Sequence, residues 1–131
     1  MTIEPTDALI VFAHGSRVPE ANQAVVAVAE SAAAQAGFER KRAAFLELAE
    51  PDLKTAVTEL AAEGARRIVV APYFLVMGVH LRDDLPRLLD EAAAQVPGVQ
   101  VFAGEQLGGH PLLAGVLAER AVEAIKQVTD A

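Results

Sequence analysis

Ala8-Leu-Ile-Val-Phe-Ala13, closed by His14-Gly15-Ser16-Arg17, is the stretch that decides the fold. Six apolar residues in a row, ended by a glycine turn, read as a strand covered on both faces, and such strands belong to parallel sheets. Pro19 then opens a long alanine-rich segment over 19–36. Proline suits the first helical turn, and alanine is the best helix former. Working outward, the alternation returns as strand 41–47, helix 51–63, strand 67–75, helix 83–95, strand 99–104 and helix 111–127. Such alternation predicts a parallel sheet with helices on both faces, joined by right-handed crossovers. The expected architecture is α/β in three layers, with a four-stranded, mainly parallel sheet of flavodoxin-like type. One domain spans 1–131, with residues 1–6 expected as a flexible N-terminus.

The punctuation agrees with these bounds. Pro51 and Pro111 suit first helical turns, and Gly37 and Gly64 suit helix exits. Pro97-Gly98 breaks the third helix. Leu53, Val57, Leu60 and Ala61 recur at helical spacing, as on a face packed against a sheet. Pro72 is the local conflict, because proline donates nothing to a ladder and is unusual in a central strand. Either the strand ends near Ala71 or pairing is lost there, leaving Tyr73 to His80 as an irregular segment over the sheet's end.

Composition narrows the function classes. The chain has 131 residues, enough for one core, and is 53% hydrophobic with 22% charged residues, so it is globular. Its net charge of −7 disfavours general nucleic-acid binding, which needs a basic surface. Without tryptophan and with one tyrosine, it offers no aromatic stacking platform. No apolar run approaches the ~18 residues of a spanning helix, so no membrane association is expected. The acidic start Met1-Thr-Ile-Glu-Pro-Thr-Asp7 lacks the basic opening of a signal peptide, which makes the cytoplasm the expected compartment. With no cysteine, thiolate metal sites and a thiol nucleophile are excluded. Neither G-x-G-x-x-G nor G-x-x-x-x-G-K-[ST] occurs, so ATP dependence is not expected.

In an open parallel sheet, ligands bind beyond the carboxyl ends of the strands. His14 and His80 both fall there, the second closing Ile68-Val-Val-Ala-Pro-Tyr-Phe-Leu-Val76 and Met77-Gly-Val-His80. Two imidazoles at two such ends can meet in one crevice, which suits a transition metal or proton transfer. A lone strand-end histidine is about as often a polar cap on the turn. Glu47 falls at the same end and could ligate a metal, steady an imidazolium or accept a proton. Its bland reading is a solvated strand terminus. The segment 73–79 is too apolar for an ordinary loop and reads as the wall of a pocket for a flat organic ligand. Met77 fits gap-filling in the core better than soft-metal ligation. Arg17 and Arg82 stand close to the two histidines as candidate cations for an anionic ligand. Asp83 and Asp84 are expected to cap or charge-match the third helix, and His110 to sit at or near the N-cap of the fourth.

These motifs together resemble the short form of the class II tetrapyrrole chelatases, the sirohydrochlorin cobaltochelatase/ferrochelatase family. The matching pieces are Ala13-His-Gly-Ser-Arg17, Ala44-Phe-Leu-Glu-Leu-Ala-Glu-Pro51, Val70-Ala-Pro-Tyr-Phe-Leu-Val-Met-Gly-Val-His80, Asp83-Asp-Leu-Pro86 and Leu107-Gly-Gly-His-Pro111, in family order over nearly the whole chain. The resemblance implies a lyase that inserts a divalent metal into sirohydrochlorin without ATP, for cobalamin or sirohaem. Cobalt is the first choice, then iron, with nickel also open. It implies His14 as metal ligand and proton acceptor, and His80 as metal ligand. Glu47 joins them as a catalytic candidate. The substrate-binding set is Arg17, Leu75, Val76, Met77, Gly78, Val79, His80 and Arg82. No permanently bound cofactor is expected, and the resemblance implies a symmetric homodimer, since longer relatives contain two such halves.

Three other readings use fewer of these residues. A phosphocarrier domain similar to the mannose-type EIIA domains would phosphorylate His14 and leave Glu47, the apolar segment and His80 without a role. A metal chaperone would bind through both histidines without accelerating insertion. A structural α/β domain would make both histidines incidental.

Overall fold

The computed structural model describes residues 2–130. Four parallel strands, β1 (Asp7–Ala13), β2 (Arg40–Phe45), β3 (Arg67–Pro72) and β4 (Gln100–Ala103), form one sheet in the order β2-β1-β3-β4. The helices are α1 (Pro19–Ala36), α2 (Leu53–Ala62), α3 (Val79–Ala94) and α4 (Leu112–Asp130). β1 is central and all seven of its residues are buried; the six from Ala8 to Ala13 are apolar, which is why they read as an unbroken apolar run. Its two faces serve two apolar clusters. Ile10 and Phe12 join Ala56, Val57, Leu60, Ile68, Val70 and Leu85 beneath α2 and α3. Leu9, Val11 and Ala13 join Val25, Ala29 and Ala33 of α1 on the other face. The sequence-read face of α2 is buried at Leu53, Val57 and Leu60.

Several boundaries differ from the sequence reading, and three of them shape the sheet's carboxyl end. β2 stops at Phe45, not at residue 47, and the chain turns through Leu48, whose φ of 67° is left-handed. β3 ends at Pro72, whose ring is fully buried, and the next amide continues the ladder by donating from Tyr73 N to the Phe12 carbonyl at 2.7 Å. α3 begins four residues earlier than expected, behind the extended Gly78. Asp83 and Asp84 therefore lie inside α3 and do not cap it, and Asp84 instead faces Arg87 at 3.7 Å. α2 is capped by Asp52, whose side chain accepts from Thr55 N at 2.8 Å. That bond holds the Asp52 carboxyl below its ordinary range.

At the amino end of the sheet, Arg67 grips Asp7 with both nitrogens, Nε to Oδ1 at 2.6 Å and Nη2 to Oδ2 at 2.7 Å. Glu4 N donates to the same carboxylate, and Pro5 and Thr6 carbonyls accept from Arg40, Arg66 and Arg67. α4 departs from the layered pattern. No residue in it is buried, and beyond Leu113 every one is exposed. On the α1 side of the sheet, Val69 and Phe102 consequently lie beside an open, largely apolar cleft of about 230 Å³ that Ile3 and Phe38 also line.

Candidate functional site

The loops after β1, β2 and β3 meet at the carboxyl end of the sheet. Parallel pairing between β1 and β2 does not end with the strands. Leu46 N donates to the Ala13 carbonyl at 2.9 Å, and Glu47 N to the His14 carbonyl at 3.0 Å. This two-bond extension lays Glu47 alongside His14. A glycine is required between them and the next turn. Gly15 has φ of 96°, and a Cβ there would stand 1.8 Å from the Glu47 carbonyl oxygen. The closeness is possible only without a side chain. The loop is then locked by Asn22 of α1, which accepts from Ser16 N and donates to the Ser16 carbonyl. Nothing in the sequence singled out Asn22; its signal is its place one turn into a helix that follows a short polar loop.

The backbone so arranged brings two side chains together. His14 Nε2 lies 2.9 Å from Glu47 Oε1. Both groups are open to solvent, with side chains 59% and 57% exposed. A surface pair of this kind adds little to stability, because water already solvates both partners. Exposure and contact together suit chemistry on a ligand that arrives from outside.

His80 occupies the first turn of α3, on the element that follows β3, the other neighbour of β1. It is exposed at the same end of the sheet as His14. No three His, Cys, Asp or Glu side chains among the described residues form a ready-made metal cage.

Between β3 and α3 the segment 73–78 crosses the sheet's end. Leu75 is 62% and Val76 74% exposed, while Tyr73 and Val79 are exposed to a lesser or similar degree. Phe74 and Met77 turn the other way, into the cluster under α2 and α3, and the Phe74 ring meets Phe12 edge-on at 6.2 Å. Met77 thus serves the core with its side chain, as its type suggested. The segment is an apolar strip with alternating anchors, and it borders an open cleft of about 490 Å³ that Val76, Arg82, Glu105 and Gln106 help to line. Arg17 and Arg82 are both exposed and make no ion pair among the described residues.

His110 has the structural role expected of it. Its Nδ1 accepts from Leu112 N at 3.1 Å at the start of α4, and Pro111 precedes the helix. Gln106 escaped the sequence reading. Its side-chain oxygen accepts from Met77 N at 2.8 Å.

The family model described as CbiX matches residues 8–124. The chloroplastic sirohydrochlorin ferrochelatase of Arabidopsis thaliana is 33% identical over 96% of this chain, which spans only 56% of that protein. The sirohydrochlorin cobaltochelatase of Methanopyrus kandleri is 32% identical, with 90% of this chain and 96% of the relative covered. Among solved structures, a putative cobalamin biosynthesis CbiX protein from Marinobacter aquaeolei superposes with a TM-score of 0.80 at 30% identity, covering 92% of this chain and 98% of the other. The sirohydrochlorin chelatase SirB of Bacillus subtilis, in complex with cobalt, gives 0.81 at 28% identity, covering 89% of this chain and 50% of the other.

Proposed function

Because the chain belongs to the CbiX family and is a short-form class II tetrapyrrole chelatase, we propose that it inserts a divalent metal ion into sirohydrochlorin without ATP. Cobalt is the preferred metal and iron the alternative, as the names of relatives support both. The cytoplasm is the proposed compartment, and sirohydrochlorin and metal are both substrates.

The observation that carries this reading is the His14–Glu47 pair at 2.9 Å, exposed beside an apolar strip. Metal insertion must displace two pyrrole protons while a metal ion is handed over. A neutral His14 donating from Nε2 to Glu47 keeps its Nδ1 lone pair free for a metal ion or a proton. Glu47 would stabilise the imidazolium once a proton is taken. His80, across the end of β1, supplies the second imidazole. A site with few protein ligands leaves coordination positions for the macrocycle nitrogens and does not retain its cargo. Leu75, Val76 and Val79 would lie against the ring's apolar surface, with Gly78 allowing close approach. Arg17 and Arg82, both unpaired among the described residues, would meet the peripheral carboxylates.

The phosphocarrier reading gives no role to the exposed apolar strip at Leu75 and Val76 or to the exposed His80.

We further propose that the chain acts as a homodimer. Leu117, Ala121, Ala124, Ile125 and Val128 share one side of α4, opposite Glu119, Glu123 and Lys126. That stripe lies outside the body, while the sheet face at Val69 and Phe102 lacks a helix. A second copy can cover both with surfaces already present in the chain. Relatives of about twice this length support the same count of two units.

Anaerobic incubation with sirohydrochlorin and each metal in turn, followed by absorbance, tests the reaction. His14→Ala and His80→Ala are each expected to abolish insertion with the fold intact. Wild-type turnover in either would end the assignment.

A further inference from the structure

The strip at 73–78 has to present Leu75 and Val76 outward while belonging to no helix or strand, and few bonds hold it in place. Tyr73 is tied to Phe12, and the Phe74 carbonyl accepts from Leu107 N at 2.9 Å. Over 75–77 the one hydrogen bond to the backbone among the described residues is the 2.8 Å contact between Met77 N and Gln106 Oε1, before the Gly78 carbonyl accepts from Arg82 N at 2.9 Å as α3 begins. The two exposed residues Leu75 and Val76 lie between these ties, so their outward direction depends on both ends.

The segment 105–109 is shaped to back the strip. Gly108 packs so closely that a Cβ there would stand 2.0 Å from the Leu75 carbonyl oxygen. Leu107 supplies the backbone donor, and Gln106 supplies a side-chain acceptor beyond the reach of the backbone itself. Both Gln106 and Met77 are half-buried, where an amide left without an acceptor is costly. Gln106 also lines the open cleft with Val76 and Arg82, so its amide holds the strip from the side that a bound ring would approach.

We propose that Gln106 is a positioning residue for the tetrapyrrole, acting through Met77 N to fix the apolar strip before the substrate arrives. The proposal rests on the chelatase reading above. Its energetic logic is preorganisation: a wall already ordered in the free protein avoids the cost of ordering it on binding. Gln106 does not touch the reacting atoms. Its loss should therefore weaken binding of the macrocycle and spare the insertion step.

Two near-isosteric variants separate the hydrogen bond from the space the side chain fills. Gln106→Met has the length and lacks the acceptor; Gln106→Glu keeps an acceptor oxygen and adds a charge that 0.5 M salt would screen at roughly 4–5 Å. Wild type and both variants are assayed with sirohydrochlorin and cobalt in that salt, with hydrogen exchange followed at the Met77 amide. The expected result is loss of Met77 protection in Gln106→Met, with KM for sirohydrochlorin up roughly tenfold and kcat within about twofold. Gln106→Glu should keep the protection and stay within about threefold of wild type in KM. Wild-type KM in Gln106→Met overturns the proposal. So does an equal rise in KM in both variants, or a fall in kcat that tracks a lowered melting temperature. Absent turnover in the wild-type protein would instead overturn the chelatase reading itself, and this role with it.

Discussion

At the residue scale, two carboxylate contacts have opposite purposes. Glu47 meets His14 in the open, where the contact contributes little to folding. Glu47→Gln should leave the melting temperature nearly unchanged while lowering insertion by roughly 10–100-fold, as loss of an imidazole's carboxylate partner does elsewhere; steady-state rates beside a thermal melt check both halves. Asp7 is buried against Arg67, with hydrogen bonds from Arg67 and Glu4 holding its carboxyl at about 2, below the ordinary 3.8. A depressed carboxylate contributes stability above its unfolded value and loses it as pH falls through the folded one. Denaturant midpoints should therefore drop between pH 4 and pH 2. Asp7→Asn should be less stable at neutral pH and show a flatter acid limb; an unchanged slope would show that the pair is not linked to folding. Arg67 on its side is stabilised in the charged form by Asp7.

At the scale of elements, the carboxyl end depends on how far pairing runs past the strands. The bonds from Leu46 and Glu47 to Ala13 and His14 carry β2 alongside β1 after both have formally ended. Gly15→Ala would push a Cβ into the Glu47 carbonyl and ask alanine to adopt a φ of 96°. The expected cost is about 1–3 kcal/mol, read from chemical denaturation, with activity falling further than stability because His14 and Glu47 separate. This arrangement was only partly legible in the sequence. β1 and α1 were, because a fully buried central strand is a plain apolar run and Pro19 marks the helix start. Glu47 could be placed at the right end of the sheet, but its contact with His14 could not, since it depends on inter-strand bonds with no residue signature. The early start of α3 was hidden for a related reason. Gly78-Val79-His80 carries no side-chain cap, and the two aspartates that mimic one lie a turn inside the helix. Gln106 was invisible because a glutamine accepting from a distant backbone amide has no local pattern at all.

At the scale of the whole molecule, the sheet is protected unevenly. α2 and α3 cover one face, α1 covers the β1–β2 half of the other, and the β3–β4 half meets solvent at Phe102. Helical periodicity alone could not reveal this, because α4 has the amphipathic pattern of a helix packed on its own sheet. Ile125→Asp, placed where the side chain is 66% exposed, should shift the species in sedimentation from dimer to monomer without altering far-UV helicity of the body. A wild-type distribution in that variant would locate the seam elsewhere. An outlying apolar helix also changes what a heat-stability measurement means. If its cover comes from another molecule, unfolding is coupled to dissociation, and the midpoint rises with the logarithm of protein concentration. Dilution would then loosen first the β4–α4 corner, whose connecting loop backs the apolar strip, so the same enzyme would bind its macrocycle less well when scarce than when abundant.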